Sequence, residues 1–233
     1  MEFSRRQMLG AGTAAGLLAA ATAAQAQSLA EIVARLKDPV PAPKPLFPVS
    51  PLPAQPAAPA VTGPINPTLL ARARAAFDRH RSVVTRGDVV AIADFSRPSG
   101  EPRFYLLETA SGRVSSHYVA HGRGSDPDHS GWLERFSNEI NSEASSSGGY
   151  LLGDYYPGKY GRSLRLMGLD PSNSNAEARA IVVHTAWYAE PEVAAEHGKL
   201  GRSDGCFALS ANSLQEVLQR LGPGHFLYAD KIA

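Results

Sequence analysis

The 233-residue chain has one cysteine, Cys206, in the stretch GRSDGCFAL. It follows Gly205 at the end of the polar run Arg202-Ser203-Asp204 and does not sit inside an apolar segment. A glycine lets the backbone turn sharply enough for successive N–H groups to face a developing oxyanion, as attack by a thiol on a carbonyl requires. The thiolate is the reactive form, so the chemistry also needs a base. His184 closes the apolar run Ile181-Val182-Val183, where a strand holds an imidazole at the rim of a sheet. Taken singly, the thiol also reads as a small buried hydrophobe and the histidine as a structural residue. Taken together, they point to a cysteine nucleophile with a histidine base.

Competing uses of Cys and His fit less well. No CxxC, HExxH or HxH spacing occurs, so a metal site is not expected. Cysteine peptidases of the papain and NlpC type place Cys before His in the chain, often at the start of a helix, and only His225 follows Cys206. A noncatalytic wall-binding module with an inert thiol is the remaining rival. No GxGxxG or Walker sequence is present, which disfavours nucleotide binding.

The elements that position this pair begin after an N-terminal segment of different character. Residues 1–26 carry Arg5-Arg6 before a weakly apolar Ala/Gly/Leu run ending in Ala24-Gln25-Ala26, the pattern of a twin-arginine export signal. The expected location is therefore periplasmic, with no transmembrane helix left after cleavage. In an oxidising compartment a single unpaired thiol calls for a reason. The formal charge is +1 for the whole chain, and removing Glu2, Arg5 and Arg6 leaves the remainder neutral, so nothing draws the protein to nucleic acid. About two hundred residues remain, enough for one domain with an appendage. Residues 27–38 read as a short helix with Leu29, Ile32, Val33 and Leu36 on one face. Residues 39–66 carry proline every few positions and read as an extended linker.

Residues 67–233 have the composition of a globular domain. PTLLARARAAFDRH predicts a helix with Leu69, Leu70, Ala73 and Phe77 on one side. VVAIADF, RFYLLET, RVSSHYVA, YLLGDYY, SLRLMGL, AIVVHTA, the segment around Cys206 and HFLYADK predict strands. One late helix is expected over SANSLQEVLQRLG, with Ser213 and Glu216 at capping-box spacing and Gly222 as its stop. Strands far outnumber helices, so the domain is expected to be mostly β with a few helices.

A strand ending in His184, a gap of some twenty residues and then Gly-Arg-Ser-x-Gly-Cys resembles the murein L,D-transpeptidase catalytic domain family, of YkuD-like type. AHGRGS at 120–125, FSN at 136–138, SGGY at 147–150 and GRSLRLMGL at 161–169 extend the resemblance over most of residues 67–232. It implies a β-sandwich or barrel-like catalytic fold, no cofactor, a monomer, and peptidoglycan stem peptides as partners. The implied reaction attacks the bond between diaminopimelate and D-alanine in a tetrapeptide stem. An amine of another stem then gives a 3→3 cross-link, and water gives the tripeptide product of an L,D-carboxypeptidase.

The resemblance places Cys206, His184, Gly205 and Ser203 in the catalytic set, with the Gly205 and Cys206 N–H groups as oxyanion donors. Arg202, Asp204, His121, Arg165 and Tyr150 are the candidate substrate contacts. Each has a plainer reading: a turn for Arg202 and Asp204, loop satisfaction for His121, water for Arg165 and sheet packing for Tyr150. Asp204 also reads as a carboxylate that orients His184. The chain departs from many relatives at Asp204, where His or Trp is common, and at Phe207-Ala208-Leu209, where Pro or Arg is frequent.

Overall fold

The computed structural model describes residues 65–232. The export signal at 1–26, the short helix at 27–38 and all but the end of the proline-rich linker lie outside the described residues.

The first helix, α1 (Pro67–Arg79), starts where Asn66 accepts the Thr68 N–H at 2.9 Å and Pro67 occupies the first turn, which needs no backbone donor. It buries Leu69, Ala73 and Ala76, with Leu70 and Phe77 partly covered on the same side. The strands follow as β1 (Val89–Asp94), β2 (Phe104–Glu108), β3 (Val114–His117), β4 (Gly148–Gly158), β5 (Gly161–Gly168), β6 (Val182–Thr185), β7 (Phe207–Leu209) and β8 (Phe226–Asp230). Two further helices lie late in the chain, α2 (Pro191–His197) and α3 (Ala211–Arg220).

The eight strands form one mixed sheet in the order β3-β2-β1-β8-β4-β5-β6-β7. The β1–β8 and β6–β7 pairs are parallel and the others antiparallel. Past β3 the chain turns back, and the bridges Ala120↔Ala208 and Gly122↔Ser203 join it to β7 and to the turn before β7. The two ends of the sheet order are thus brought together, which gives the barrel-like architecture that the family resemblance implies.

Alternation along the strands divides the sheet into two faces. One carries Ala91, Phe104, Leu106, Tyr150, Leu164, Val183, Phe207 and Leu209, packed against Leu214 and Val217 of α3. The opposite face of β1, β2 and β8 carries Val90, Ile92, Tyr105, Leu107, Phe226 and Tyr228 and is covered by α1. A third, smaller cluster gathers Ala120, Ala186, Ala189, Ala194, Leu200 and Ala208 beneath α2.

Two details differ from the sequence reading. The cap of α3 is Ser210, whose Oγ accepts the Ser213 N–H at 3.2 Å, and the helix ends at Leu221, which is already extended. Ser213 is therefore the residue whose amide is capped. The helix α2 was not expected; it uses Pro191 in its first turn and Gly198 at φ +69° as its stop.

Candidate active site

The site lies where β6 and β7 run side by side. Val183 pairs with Phe207 and His184 with Ala208. Val183, Phe207 and Leu209 point into the main core, so the residues that alternate with them, His184, Val182 and Cys206, face the other way. Cys206 sits two residues before the partner of His184, a diagonal of about 8 Å between Cα atoms.

His184 is 5% exposed. Its Nδ1 lies 2.8 Å from the Thr185 carbonyl oxygen, an acceptor, so Nδ1 carries the proton and donates. Nε2 of the neutral ring is left as the basic nitrogen. Burial is the largest influence on its pKa and lowers it, while the Thr185 bond and the Asp204 charge push the other way. The ring is covered by Tyr160, from the tip of the β4–β5 hairpin.

Cys206 is half-buried, and its Sγ lies 3.6 Å from the Ala180 carbonyl oxygen. Burial pushes the thiol pKa up, as does Asp204; the Val182 backbone and Arg179 oppose that rise. The resting pair at neutral pH is thus a thiol and a neutral imidazole, not a thiolate–imidazolium ion pair.

The turn that delivers Cys206 is fixed by hydroxyls. Gly205 has φ +114°, and a Cβ there would lie 2.7 Å from the Ala144 carbonyl oxygen. Ser203 is buried. Its Oγ accepts the Gly205 N–H at 3.2 Å and donates to the Cys206 carbonyl at 2.7 Å. Ser145 Oγ donates to the Gly205 carbonyl at 3.3 Å. Ser203 therefore builds the turn, and in this resting arrangement the Gly205 N–H is already committed to it.

The other expected residues are distributed unevenly. Arg165 pairs across the sheet with Val182, which by register lies opposite Cys206, so Arg165 stands on the same face two strands away. It is exposed, stacks over the Tyr156 ring at 4.4 Å and has no carboxylate partner among the described residues. Asp204 is 72% exposed and pairs with Arg123 at 3.3 Å. It does not hydrogen-bond His184, whose orientation comes from Thr185. Arg202 donates from Nη1 to the Asp126 and Pro127 carbonyls, which commits part of its guanidinium to the loop.

Two residues are not brought to the open face. Tyr150 is fully buried, edge-on to Phe207, with its hydroxyl donating to the Ser146 carbonyl at 2.8 Å. His121 is 1% exposed. Its ring is held between Arg103 at 2.7 Å and Asp126 at 3.2 Å. Both have polar atoms satisfied inside the protein, so burial is compatible with their chemistry and keeps them from a ligand on the surface.

Arg179, Tyr160 and Tyr188 gather at the site without any sequence signal that marks them. Arg179 Nη2 lies 3.2 Å from the position a Gly205 Cβ would take. Tyr188 lines a recess of about 420 Å³ shared with His129, Trp187, Val193 and Leu200 beside the site, and Trp187 on its rim is 78% exposed. Among the described residues, no group of three or more His, Cys, Asp or Glu side chains is arranged to hold a metal ion. No helix among them is long and apolar enough to cross a membrane.

Comparison with known proteins places the chain in a family. Residues 62–229 match the family model described as the L,D-transpeptidase catalytic domain. Among solved structures the chain is similar to an L,D-transpeptidase from Mycobacterium smegmatis, at 13% identity over 61% of this chain and 58% of that one, with a TM-score of 0.37. It is similar to L,D-transpeptidase 3 from Mycobacterium tuberculosis at 13% identity over 61% of each chain, with a TM-score of 0.39. A third, from Xylanimonas cellulosilytica, shares 15% identity over 67% of this chain and 68% of that one, with a TM-score of 0.36. The chain thus spans about three fifths of the length of the first two. No curated protein matches it.

Proposed function

Because the chain belongs to the L,D-transpeptidase catalytic domain family, we propose that it is a peptidoglycan acyltransferase whose nucleophile is Cys206 and whose base is His184. The observation that carries this reading is the shared sheet face. His184 stands on β6 and Cys206 immediately before β7, the strand beside it, and a backbone carbonyl fixes the histidine so that Nε2 is the basic nitrogen.

In the reaction the thiol leaves the Ala180 carbonyl and gives its proton to His184 Nε2 as the sulfur attacks the carbonyl carbon between diaminopimelate and D-alanine. The C–N bond breaks, His184 returns the proton to the departing D-alanine amine, and a thioester remains on Cys206. An amine of a second stem attacks the thioester while His184 takes its proton, forming the 3→3 amide and regenerating the thiol. The Cys206 N–H, on the turn built by Ser203, stabilises the oxyanion. The Gly205 N–H joins it when it releases Ser203. Arg165 supplies an unpaired guanidinium for a stem carboxylate on the same face. Arg202 and Asp204 border the turn, where their contact with substrate is secondary to the Asp126, Pro127 and Arg123 contacts they already make. We read residues 1–26 as a twin-arginine export signal, which places the reaction in the periplasm.

The test is mass spectrometry of products after incubating purified disaccharide-tetrapeptide with the protein and with Cys206→Ala. Dimer with released D-alanine, absent in the variant, is the expected result. Tripeptide alone identifies a carboxypeptidase. Unchanged tetrapeptide overturns the assigned chemistry.

A further inference from the structure

The segment between β5 and β6 carries a cation that the family reading does not use. Arg179 is half-buried and precedes Ala180, whose carbonyl receives the Cys206 thiol. Its Nη1 donates to the Ser137 carbonyl at 2.7 Å and to Ser146 Oγ at 2.6 Å, and its Nη2 donates to the Ala144 carbonyl. All three partners are neutral. Arginine stays protonated, so a guanidinium fixed this way keeps its charge uncompensated.

The direction of that charge is set by packing. The Ala144 carbonyl and Arg179 Nη2 are two of the atoms nearest the place a Gly205 side chain would fill, at 2.7 and 3.2 Å. The guanidinium therefore lies against the peptide that ends in the nucleophile. Ala180 itself has φ +52°, a backbone value costly for a residue with a Cβ. One segment thus presents both the carbonyl that holds the resting S–H and the cation beside it.

We propose that Arg179 is a charge-stabilising residue of the Cys206 site: fixed by three neutral acceptors and paired with no carboxylate among the described residues, it favours the thiolate as the proton passes to His184. The inference rests on Cys206 being the nucleophile and deepens that reading. The titratable and charged groups around the thiol are Arg179 from the β5–β6 segment, Asp204 from its own turn, Tyr188 from the turn after β6 and, from the core side, the buried Tyr150 of β4, with His184 on the neighbouring strand β6. Arg179 is the cation in that set, and its attraction to the thiolate works against burial and Asp204.

Cys206 is the only cysteine, so alkylation of the full chain by iodoacetamide reports this thiol alone. The rate is followed against pH for the protein, Arg179→Lys and Arg179→Gln. Gln keeps an N–H donor and loses the charge; Lys keeps the charge and loses the fork. The Gln variant is expected to move the thiol midpoint up by about one pH unit. Its rate near pH 8 should fall only about threefold, because a more basic thiolate is intrinsically more nucleophilic. The Lys variant should stay within about twofold of the parent. Equal shifts in both variants, or no shift in Gln, would assign Arg179 a purely structural part.

Where neither variant folds, the unsubstituted protein supplies the second measurement. The Arg179 guanidinium ¹⁵N resonances should titrate with the Cys206 midpoint and lose that titration in Cys206→Ser; resonances that ignore the thiol overturn the proposal. Neither readout uses substrate. Cross-linking with no Arg179 effect on the thiol removes this inference alone, and an Arg179 effect without muropeptide turnover removes the proposed reaction alone.

Discussion

The Tyr160 ring lies over the His184 imidazole, with centroids 5.0 Å apart and planes 19° from parallel. Tyr160 sits at the turn joining β4 to β5 and is 45% exposed, so its own ring shields the histidine from water. The same burial that lowers the His184 pKa is partly built from a side chain on another hairpin. A neutral imidazole at neutral pH is the state a general base needs.

Tyr160→Ala should uncover the ring and let the His184 pKa climb back toward its ordinary value. A higher pKa leaves less free base at a given mildly acidic pH, so the acid limb of kcat/KM moves to higher pH. The loss should be several-fold near pH 6 and small above pH 8. Tyr160→Phe keeps the stack and should leave the limb in place. An NMR titration of the His184 ring checks the shift directly, and an unmoved midpoint in the alanine variant rejects the shielding argument.

Gly205 and Gly198 both have positive φ, yet their surroundings differ. A Cβ at Gly205 meets the Ala144 carbonyl at 2.7 Å, whereas one at Gly198, with φ +69°, has nothing within 4 Å. Gly198→Ala should cost about 1–2 kcal/mol, the left-handed backbone penalty alone. Gly205→Ala adds a steric clash and should cost about 3 kcal/mol or more while slowing thiol alkylation. Urea unfolding with parallel iodoacetamide labelling separates the two. Equal labelling in both variants would mean that the turn does not set the reactivity of Cys206.

Arg165 offers its guanidinium to the face that carries Cys206 and has no carboxylate of its own to compete. Arg165→Ala should raise KM for tetrapeptide stems about tenfold, the cost of one charge-assisted hydrogen bond, with little change in kcat. Arg162→Ala is the control, because three residues earlier on β5 that side chain lies on the opposite face of the strand, over Tyr155. A fall in kcat at unchanged KM would count against carboxylate binding by Arg165.

The proposed pair, Cys206 and His184, was legible as a candidate from local signals alone: a lone thiol after a polar turn and a histidine at the end of an apolar strand. The eight strands were legible from the same local alternation. The parallel β6–β7 register that sets His184 diagonal to Cys206 was not, since it joins segments more than twenty residues apart through the fold. Arg179 and Tyr160 reach the site by the same kind of long-range packing. Tyr150 and His121 read as candidate ligands because they lie in SGGY and AHGRGS, motifs of the family resemblance, while their hydroxyl and ring nitrogens find partners inside. The helix α2 did carry a signal, Pro191 in its first turn and Gly198 just after it, over only seven residues.

His121 has a consequence for acid stability. Arg103 only donates hydrogen bonds, so His121 Nδ1 accepts at 2.7 Å and the ring proton sits on Nε2, toward Asp126 at 3.2 Å. A second proton would have to enter against the guanidinium. Burial first, and then the Arg103 charge, push the His121 pKa from 6.5 down to about 3. In the unfolded chain the ring binds its proton near pH 6.5, whereas the folded chain leaves it neutral until about pH 3. The contribution to stability is therefore complete above pH 6.5 and is lost as pH falls toward 3, at about 1.4 kcal/mol per pH unit. His121→Gln keeps an acceptor for Arg103 and a donor for Asp126 but cannot titrate, so its stability should fall less steeply by that slope. Urea unfolding of both proteins between pH 7.5 and pH 4 measures the difference, and parallel curves would show that His121 does not carry the acid sensitivity. Because the Ser203 N–H donates to the His121 carbonyl at 2.9 Å, the network that loses stability in acid also holds the turn before Cys206. Loosening of that turn should accompany the loss, seen as faster hydrogen exchange at residues 203–206 in the parent than in His121→Gln at pH 5.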